Sequence, residues 1–242
     1  MRQAGQIVAQ VLHDLEPLVH PGITTGELDR EAEAIIRRLG AEPAFKGYRG
    51  FPASICTSVN EEVVHGIPGR RLLKEGDIIG LDVGAKVNGY FGDAAMTFGV
   101  GKIHAEAQRL IEVTREALSR GIQQGVAGGR LSNISHAIQS YVESFGYAIV
   151  RDFVGHGIGS QIHQDPQVPN FGSPNHGVEL KKGMALAIEP MVNVGGAEVL
   201  VLDDGWTVVT KDQKLSCHFE HSIVINEGPP EILTEWRPKK NP

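Results

Sequence analysis

Apolar residues recur every three or four positions from Ala4 through Ile7, Val8, Val11, Leu12 and Leu15 to Leu18, with Arg2, Gln3, Gln6, Gln10 and Asp14 between them. This period predicts an amphipathic helix. Thr24 and Glu27 have the spacing of a capping box, opening a second helix through Leu28, Ala32, Ile35 and Leu39 that stops at Gly40. Residues 41–68, rich in Gly, Pro and aromatics, read as irregular. Strands are predicted at 77–87 and 90–98, joined by Asn88-Gly89, a strong hairpin signal. Ala107, Leu110, Ile111, Thr114, Ala117 and Leu118 mark a third helix. Ser132 is placed to cap a fourth, with Ile134, Ile138, Tyr141, Val142 and Phe145 inward and Gly146 beyond its end. Short strands follow at 148–154, 184–189, 197–202, 206–210 and 217–225. Two helices then strands, twice over, predict an α+β fold rather than a doubly wound parallel sheet.

The order repeats because the sequence does. Leu73-Lys74-Glu75-Gly76 leads to Asp82, and Leu180-Lys181-Lys182-Gly183 leads to Glu189, each 107 positions further on (82 to 189). Upstream, Gly22 through Leu28 is echoed by Gly125 through Leu131, and Ala34-Ile35 by Ala137-Ile138, at an offset of 103 (22 to 125). This pattern points to a duplicated unit, and residues 1–242 are read as one domain of two pseudo-symmetric halves, roughly 1–100 and 101–235. Packing about a pseudo-two-fold axis would bring Asp82 and Glu189 together, where two ionised carboxylates repel unless a cation lies between them.

The net charge of -6 argues against nonspecific binding to nucleic acid or a membrane surface, which needs clustered Lys and Arg. Only Arg237-Pro238-Lys239-Lys240 is locally basic, and it reads as a solvated tail. The first helix has no signal-peptide pattern, and no run approaches the ~18 apolar residues of a membrane span. Two cysteines, Cys56 and Cys217, make no disulfide framework and suit a reducing cytoplasm.

The candidate chemistry begins in the hairpin. A two-residue loop at Asn88-Gly89 pairs Gly84 with Asp93, so Asp82 and Asp93 share a face as diagonal neighbours about 7 Å apart at the backbone. The alternative is a solvated polar face, disfavoured because Leu81, Val83 and the duplication place this strand centrally. Gly155-His156-Gly157-Ile158-Gly159 follows, with His163 seven residues after His156; glycines there permit close backbone approach. A loop without function remains the competing reading. Glu189 precedes Pro190 at a strand end, and Glu220 alternates with His218 and Ser222 on one face. Four carboxylates and one imidazole suit two divalent ions such as Mn²⁺, Fe²⁺, Co²⁺ or Zn²⁺ with a bridging water. Cysteine-rich zinc and iron-sulfur sites are excluded.

Ser58 through Pro68, the Asp82–Asp93 spacing, Gly155-His156-Gly157-Ile158-Gly159, Ile188-Glu189-Pro190-Met191 and Phe219-Glu220-His221 together resemble the type I methionine aminopeptidases, from Ala4 to about Leu233. The resemblance implies a duplicated "pita-bread" fold. It implies Asp82, Asp93, His156, Glu189 and Glu220 as ligands of two metals, with Asp93 and Glu220 bridging. His163 would hydrogen-bond the scissile carbonyl, His65 would contact the substrate near the scissile amide, and Glu189 would serve as general base and acid. Tyr48, Phe51, Cys56, His65 and Trp206 would surround the methionine side chain, with Phe45 and Ile162 beside them, although Phe45 and Phe51 also read as ordinary core. Asn60 and Ser216 match positions near a monovalent-cation site. Phe91, Val64 and Gln164 depart from the commonest family pattern at positions that are not ligands. The implied reaction is removal of the initiator methionine from nascent polypeptides, probed at the ribosome by a cytoplasmic monomer, through a metal-bridged hydroxide and with preference for a small second residue. Two rivals remain: a prolidase-like or aminopeptidase P-like enzyme, and a noncatalytic binding protein of the same fold.

Overall fold

The computed structural model describes residues 1–236, so the basic run Arg237-Pro238-Lys239-Lys240 lies outside the described residues. The chain runs α1 (Arg2–Leu15), α2 (Thr25–Arg38), β1 (Glu42–Pro43), β2 (Ile55–Val59), β3 (Glu62–Val64), β4 (Ile78–Val87), β5 (Tyr90–Gly99), α3 (Ala105–Gln123) and α4 (Leu131–Glu143). It continues as β6 (Ala148–Ile149), β7 (Gly155–Gly157), β8 (Gln164–Val168), β9 (Ala185–Ile188), β10 (Met191–Asn193), β11 (Val199–Val201), β12 (Val208–Thr210), β13 (Ser216–His218), β14 (His221–Val224) and β15 (Glu231–Ile232). All pairings between these strands are antiparallel, as an α+β architecture requires.

The apolar stripe of α1 buries Val8, Val11, Leu12 and Leu15 against the β4–β5 hairpin. Each such side chain stabilises the fold by roughly 1.5–3 kcal/mol. The α-helix ends at Leu15 rather than Leu18, with a 3₁₀ turn over Glu16–Leu18, because Pro17 lacks an N–H and restricts the residue before it. The capping box forms as predicted: the Glu27 N–H donates to Thr24 Oγ1 at 3.2 Å and the Thr24 N–H to Glu27 Oε2 at 2.8 Å. The fourth helix starts differently. Arg130 stands at its N-cap, and the Ser132 hydroxyl instead accepts the His176 N–H at 2.7 Å, tying the helix to the segment beside it.

Two apolar cores result. One joins α1 and α2 to β2, β4 and β5; the other joins α3 and α4 to the strands from β6 onward. In the first, β4 is central, with β5 along one edge and β1 and β2 sharing the other. In the second, a five-stranded sheet has the order β15-β14-β9-β7-β8. The sheets meet where Ala95 of β5 and Glu220 exchange backbone hydrogen bonds, 2.9 and 3.4 Å long. There the Ser222 hydroxyl donates to the Asp93 carbonyl at 2.7 Å, which fixes Asp93 beside Glu220.

Several strands correct the sequence reading. Residues 41–68 are not wholly irregular: β2 lies inside them, buried along its whole length, so it shows no alternation. The strand expected at 148–154 shrinks to Ala148–Ile149, while the glycine segment after it is itself a strand, β7. β8 and β10 went unpredicted. The expected strand at 217–225 is two, interrupted at Phe219-Glu220, so Glu220 stands in a break rather than in an alternating strand.

Candidate metal centre and substrate cleft

The Asn88-Gly89 turn sets the hairpin register predicted from it, with Val87 opposite Tyr90 and Gly84 opposite Asp93. Asp82 and Asp93 therefore face one cleft of about 640 Å³, and His156, Glu189 and Glu220 line it too. His156 reaches it because β7 runs between β9 and β8 at very close range. A Cβ on Gly155 would lie 2.4 Å from the Ala187 carbonyl oxygen, and one on Gly157 would lie 2.2 Å from that of Asp165. Glycine is the residue that fits. Glu189 is released from the ladder where β9 ends, ahead of Pro190.

One oxygen each of Asp93 and Glu220 and one nitrogen of His156 lie within 4.8 Å of one another, all on buried residues. Asp82 Oδ1, Asp93 Oδ1 and Glu220 Oε1 are buried without a hydrogen-bond partner. Burial pushes the Asp82 carboxyl up to about 7. It pushes Asp93, Glu189 and Glu220 well above the usual carboxylate range, with mutual repulsion adding to each. Four acids so placed resist ionising together, a costly arrangement that a divalent cation relieves. The imidazole agrees. His156 Nδ1 lies 2.9 Å from the Gly157 carbonyl oxygen, which makes Nδ1 the protonated nitrogen and leaves the Nε2 lone pair toward the acids. That Nε2 is 3.5 Å from Glu189 Oε1, acceptor facing acceptor, as around a cation. The residues present fit divalent metal.

The cleft wall is aromatic. Phe45, Phe51, Cys56 and Ile162 form a small buried cluster joined by Tyr48 and Trp206, so the family-implied pocket residues come together. Phe45 and Phe51 serve as core and as wall at once. Ile162 packs in the cluster, though it is not itself among the residues lining the cleft. Trp206 is held by an Asp204 turn, whose Oδ1 accepts the Trp206 and Thr207 N–H groups at 2.8 Å, and it meets Phe51 edge-on at 5.1 Å. His65 sits just past β3 at φ +60°, a conformation rare outside glycine and tolerated where surroundings enforce it. Its ring lies 6.4 Å from Trp206 and 5.6 Å from Phe153, and burial lowers its pKa.

His163 lies across the cleft, its ring 4.3 Å from that of His156 and its Nδ1 2.9 Å from the Tyr48 hydroxyl. Desolvation in the cleft, then the nearby His156, Arg49 and His65, pulls it down to about 4. It is neutral near pH 7. A Tyr48 hydroxyl that donates to Nδ1 leaves the proton on Nε2. Away from the cleft, the Ser216 N–H donates to the Asn60 carbonyl at 2.9 Å, bringing the two cation-site candidates together. The sequence reading missed Phe153 against His65, and it treated Phe91 only as a departure, whereas Phe91 packs against the aromatic cluster. Neither sits in a motif with metal-ligand chemistry, so nothing local marked them.

The sequence profile of metallopeptidase family M24 matches residues 1–227. The methionine aminopeptidase of Clostridium acetobutylicum is 57% identical over 97% of this chain and 94% of its own length. The chain belongs to metallopeptidase family M24, in its methionine aminopeptidase branch. Among solved structures of similar proteins, the methionine aminopeptidase of Thermotoga maritima gives a TM-score of 0.96 at 48% identity, covering 97% of this chain and 95% of that one. The prolidase of Pyrococcus furiosus, with a TM-score of 0.78 at 21% identity and 63% of its chain covered, shares the fold alone. The M24 chain therefore has the pita-bread fold and is a metallopeptidase by family, with Asp93, His156 and Glu220 placed so that they could hold a metal ion. No helix among the described residues is long and apolar enough to cross a membrane.

Proposed function

We propose that the chain hydrolyses the peptide bond after an N-terminal methionine, with Asp82, Asp93, His156, Glu189 and Glu220 as the residues that would hold divalent metal. The observation that carries this reading is the cluster of Asp93, His156 and Glu220 ligand atoms within 4.8 Å, set in the same cleft as the aromatic wall. Divalent ions held there would supply an acidified water and a Lewis acid for the scissile carbonyl. Glu189 accepts the proton of the attacking water and hands it to the leaving amine, general base and then general acid. His163, neutral and with Nε2 protonated, donates to the carbonyl oxygen as negative charge develops on it.

Phe45, Tyr48, Phe51, Cys56, His65 and Trp206 enclose the methionine side chain, with Ile162 packed beside them. An unbranched thioether threads such a wall and gains a sulfur-aromatic contact of ~0.3–1.5 kcal/mol, whereas branched Leu or Ile fits worse. A bulky second residue collides with the wall near His65, so Ala and Gly are favoured there. The division into two apolar cores supports reading the domain as two pseudo-symmetric halves, roughly 1–100 and 101–235, with the metals between them. The backbone bond between Asn60 and Ser216 supports a monovalent-cation site near them. The substrates are nascent polypeptide N-termini, met at the ribosome by a cytoplasmic monomer.

The test is metal-stripped protein reconstituted with Mn²⁺, Fe²⁺, Co²⁺ or Zn²⁺ in turn and assayed on Met-Ala-Ser, Leu-Ala-Ser and Ala-Pro peptides. Efficient turnover of Met-Ala-Ser alone is expected. Comparable kcat/KM for Leu-Ala-Ser, or preference for Ala-Pro, overturns the methionine assignment.

A further inference from the structure

His218 ends β13 two residues before Glu220 and is buried, 4% exposed. Its backbone is fully engaged with Thr97: the His218 N–H donates to Thr97 Oγ1 at 3.2 Å, and the Thr97 hydroxyl donates to the His218 carbonyl at 2.7 Å. Its ring is not. Nε2 is buried with no hydrogen-bond partner, and the acceptor facing it is Glu189 Oε2, 3.9 Å away. Glu189 thus stands between two imidazoles, with Oε1 toward His156 Nε2 at 3.5 Å and Oε2 toward His218 Nε2 at 3.9 Å.

The two imidazoles cannot play the same part. His156 has its proton on Nδ1, committed to the Gly157 carbonyl, and presents a lone pair to the acids. A lone pair on His218 Nε2 would add a second acceptor against the other Glu189 oxygen, in a pocket where an unpaired buried polar atom costs roughly 1–3 kcal/mol. A proton on Nε2 turns that penalty into a charge-assisted donor aimed at a carboxylate. The present gap exceeds hydrogen-bond length, and catalytic contacts commonly tighten only in the working complex.

We propose that His218 is a positioning residue for Glu189: as the Nε2–H tautomer it donates to Glu189 Oε2, so that one oxygen is anchored and the other is presented toward His156 and the cleft. This rests on the functional reading above, in which Glu189 acts on the attacking water. His218 touches neither substrate nor metal in that role and acts through the Glu189 carboxylate alone. A carboxylate free to rotate would offer its oxygens to the water at the wrong angle for much of the time, lowering turnover without altering how peptide binds.

Two measurements test it. In Zn²⁺-loaded wild-type protein, where Glu189 is a carboxylate, ¹⁵N NMR of the ring reports the tautomer, independently of any peptidase activity; a protonated Nε2 with a bare Nδ1 is expected, and a bare Nε2 overturns the proposal. In the metal-loaded enzyme, His218→Leu removes the donor at similar volume, whereas His218→Gln keeps an N–H that can reach the same oxygen. His218→Leu should lower kcat on Met-Ala-Ser by ~10-fold or more with KM nearly unchanged and weaken calorimetrically measured metal affinity by ~10- to 100-fold, as loss of an outer partner of a ligand does. His218→Gln should restore most of both. Equal kcat and metal affinity in the Leu variant and wild type, or no rescue by Gln, overturns the assignment. If His218→Leu does not fold, the tautomer and the Gln variant still decide. Wild-type protein that binds metal and shows the Nε2–H tautomer but cleaves no methionyl peptide would refute the functional reading and leave the His218–Glu189 contact standing.

Discussion

Asp82 and Asp93 stand on two ten-residue strands joined by a two-residue turn, whereas His156, Glu189 and Glu220 stand where short strands narrow, end or break. In the hairpin, side-chain direction follows from counting. The turn fixes the register, alternation fixes the face, and the two acids are carried inward together. In the second region direction comes from interruptions: glycines that let β7 approach its neighbours, Pro190 after β9, and the gap between β13 and β14. An unbroken ladder places ligands by periodicity; a broken one places each by a separate backbone event. The metal cluster draws from both regions, since its closest atoms belong to Asp93 on one side and His156 and Glu220 on the other.

The sharpest way to break this comparison is to remove a ligand from each region. Asp93→Asn in the hairpin and Glu220→Gln at the break should each lower kcat/KM on Met-Ala-Ser by well over the ~10- to 100-fold typical of losing an outer partner, with loss of bound metal by elemental analysis. Chelation of wild-type protein should do the same while leaving most helical circular dichroism, because the helices are held by apolar cores built from side chains and not by metal. Full activity in excess EDTA with no metal detected would sink the metal assignment altogether.

Next in size is His163→Ala, which takes a donor and no ligand. Turnover should fall ~10²-fold with metal stoichiometry unchanged. Loss of metal along with activity would move His163 into the ligand set and place a second imidazole from the broken region on the ions.

The same contrast explains what could be read before the fold was known. The register, the capping box at Thr24 and the paired acids all follow from local periodicity, and the structure agrees with each. β2, buried on both faces, has no alternation to reveal it, and β8 is polar with a proline inside. Phe91, packed on the aromatic cluster, and Phe153, lining the cleft, meet their neighbours only through tertiary packing. His218 reads in the sequence as one more member of a strand face, and its approach to Glu189 exists only because β13 ends where it does.

A third prediction concerns pH. Burial pushes the Asp82 carboxyl up to about 7 in the metal-free fold against an ordinary 3.8, and it holds Asp93, Glu189 and Glu220 well above the usual carboxylate range. The folded state therefore binds protons that the unfolded chain has released, and the stability these groups contribute at low pH is lost as pH rises through their folded values. Buried histidines act oppositely: His163 near 4 and His218 near 3 lie below the ordinary 6.5, so their contribution is lost as pH falls. Above about 7.5 the histidines are neutral in both states and the carboxyls alone set the slope. Metal-free protein should lose thermal stability as pH rises above about 7.5, and the rise in Tm on adding Mn²⁺ should be larger at pH 8 than at 6.5, because protons compete for the ligands. A metal-induced rise independent of pH would place the ion elsewhere.

The smallest effects separate the two regions by their glycines. A methyl at Gly157 meets the Asp165 backbone carbonyl, which cannot withdraw without moving β8, so Gly157→Ala should cost roughly 1–3 kcal/mol in denaturant unfolding and disturb His156 with it. A methyl at Gly84, opposite Asp93, meets instead the Phe45 ring edge at 2.5 Å, and a ring can tilt. Phe45 belongs to the aromatic wall, so any tilt disturbs that wall. Gly84→Ala should therefore leave the unfolding midpoint close to wild type and keep bound metal, yet raise KM for Met-Ala-Ser severalfold while lessening the advantage of Met over Leu. Were Gly84→Ala the more destabilising of the two, or silent in KM, the hairpin would not be the more forgiving region, and Phe45 would be core without being pocket wall.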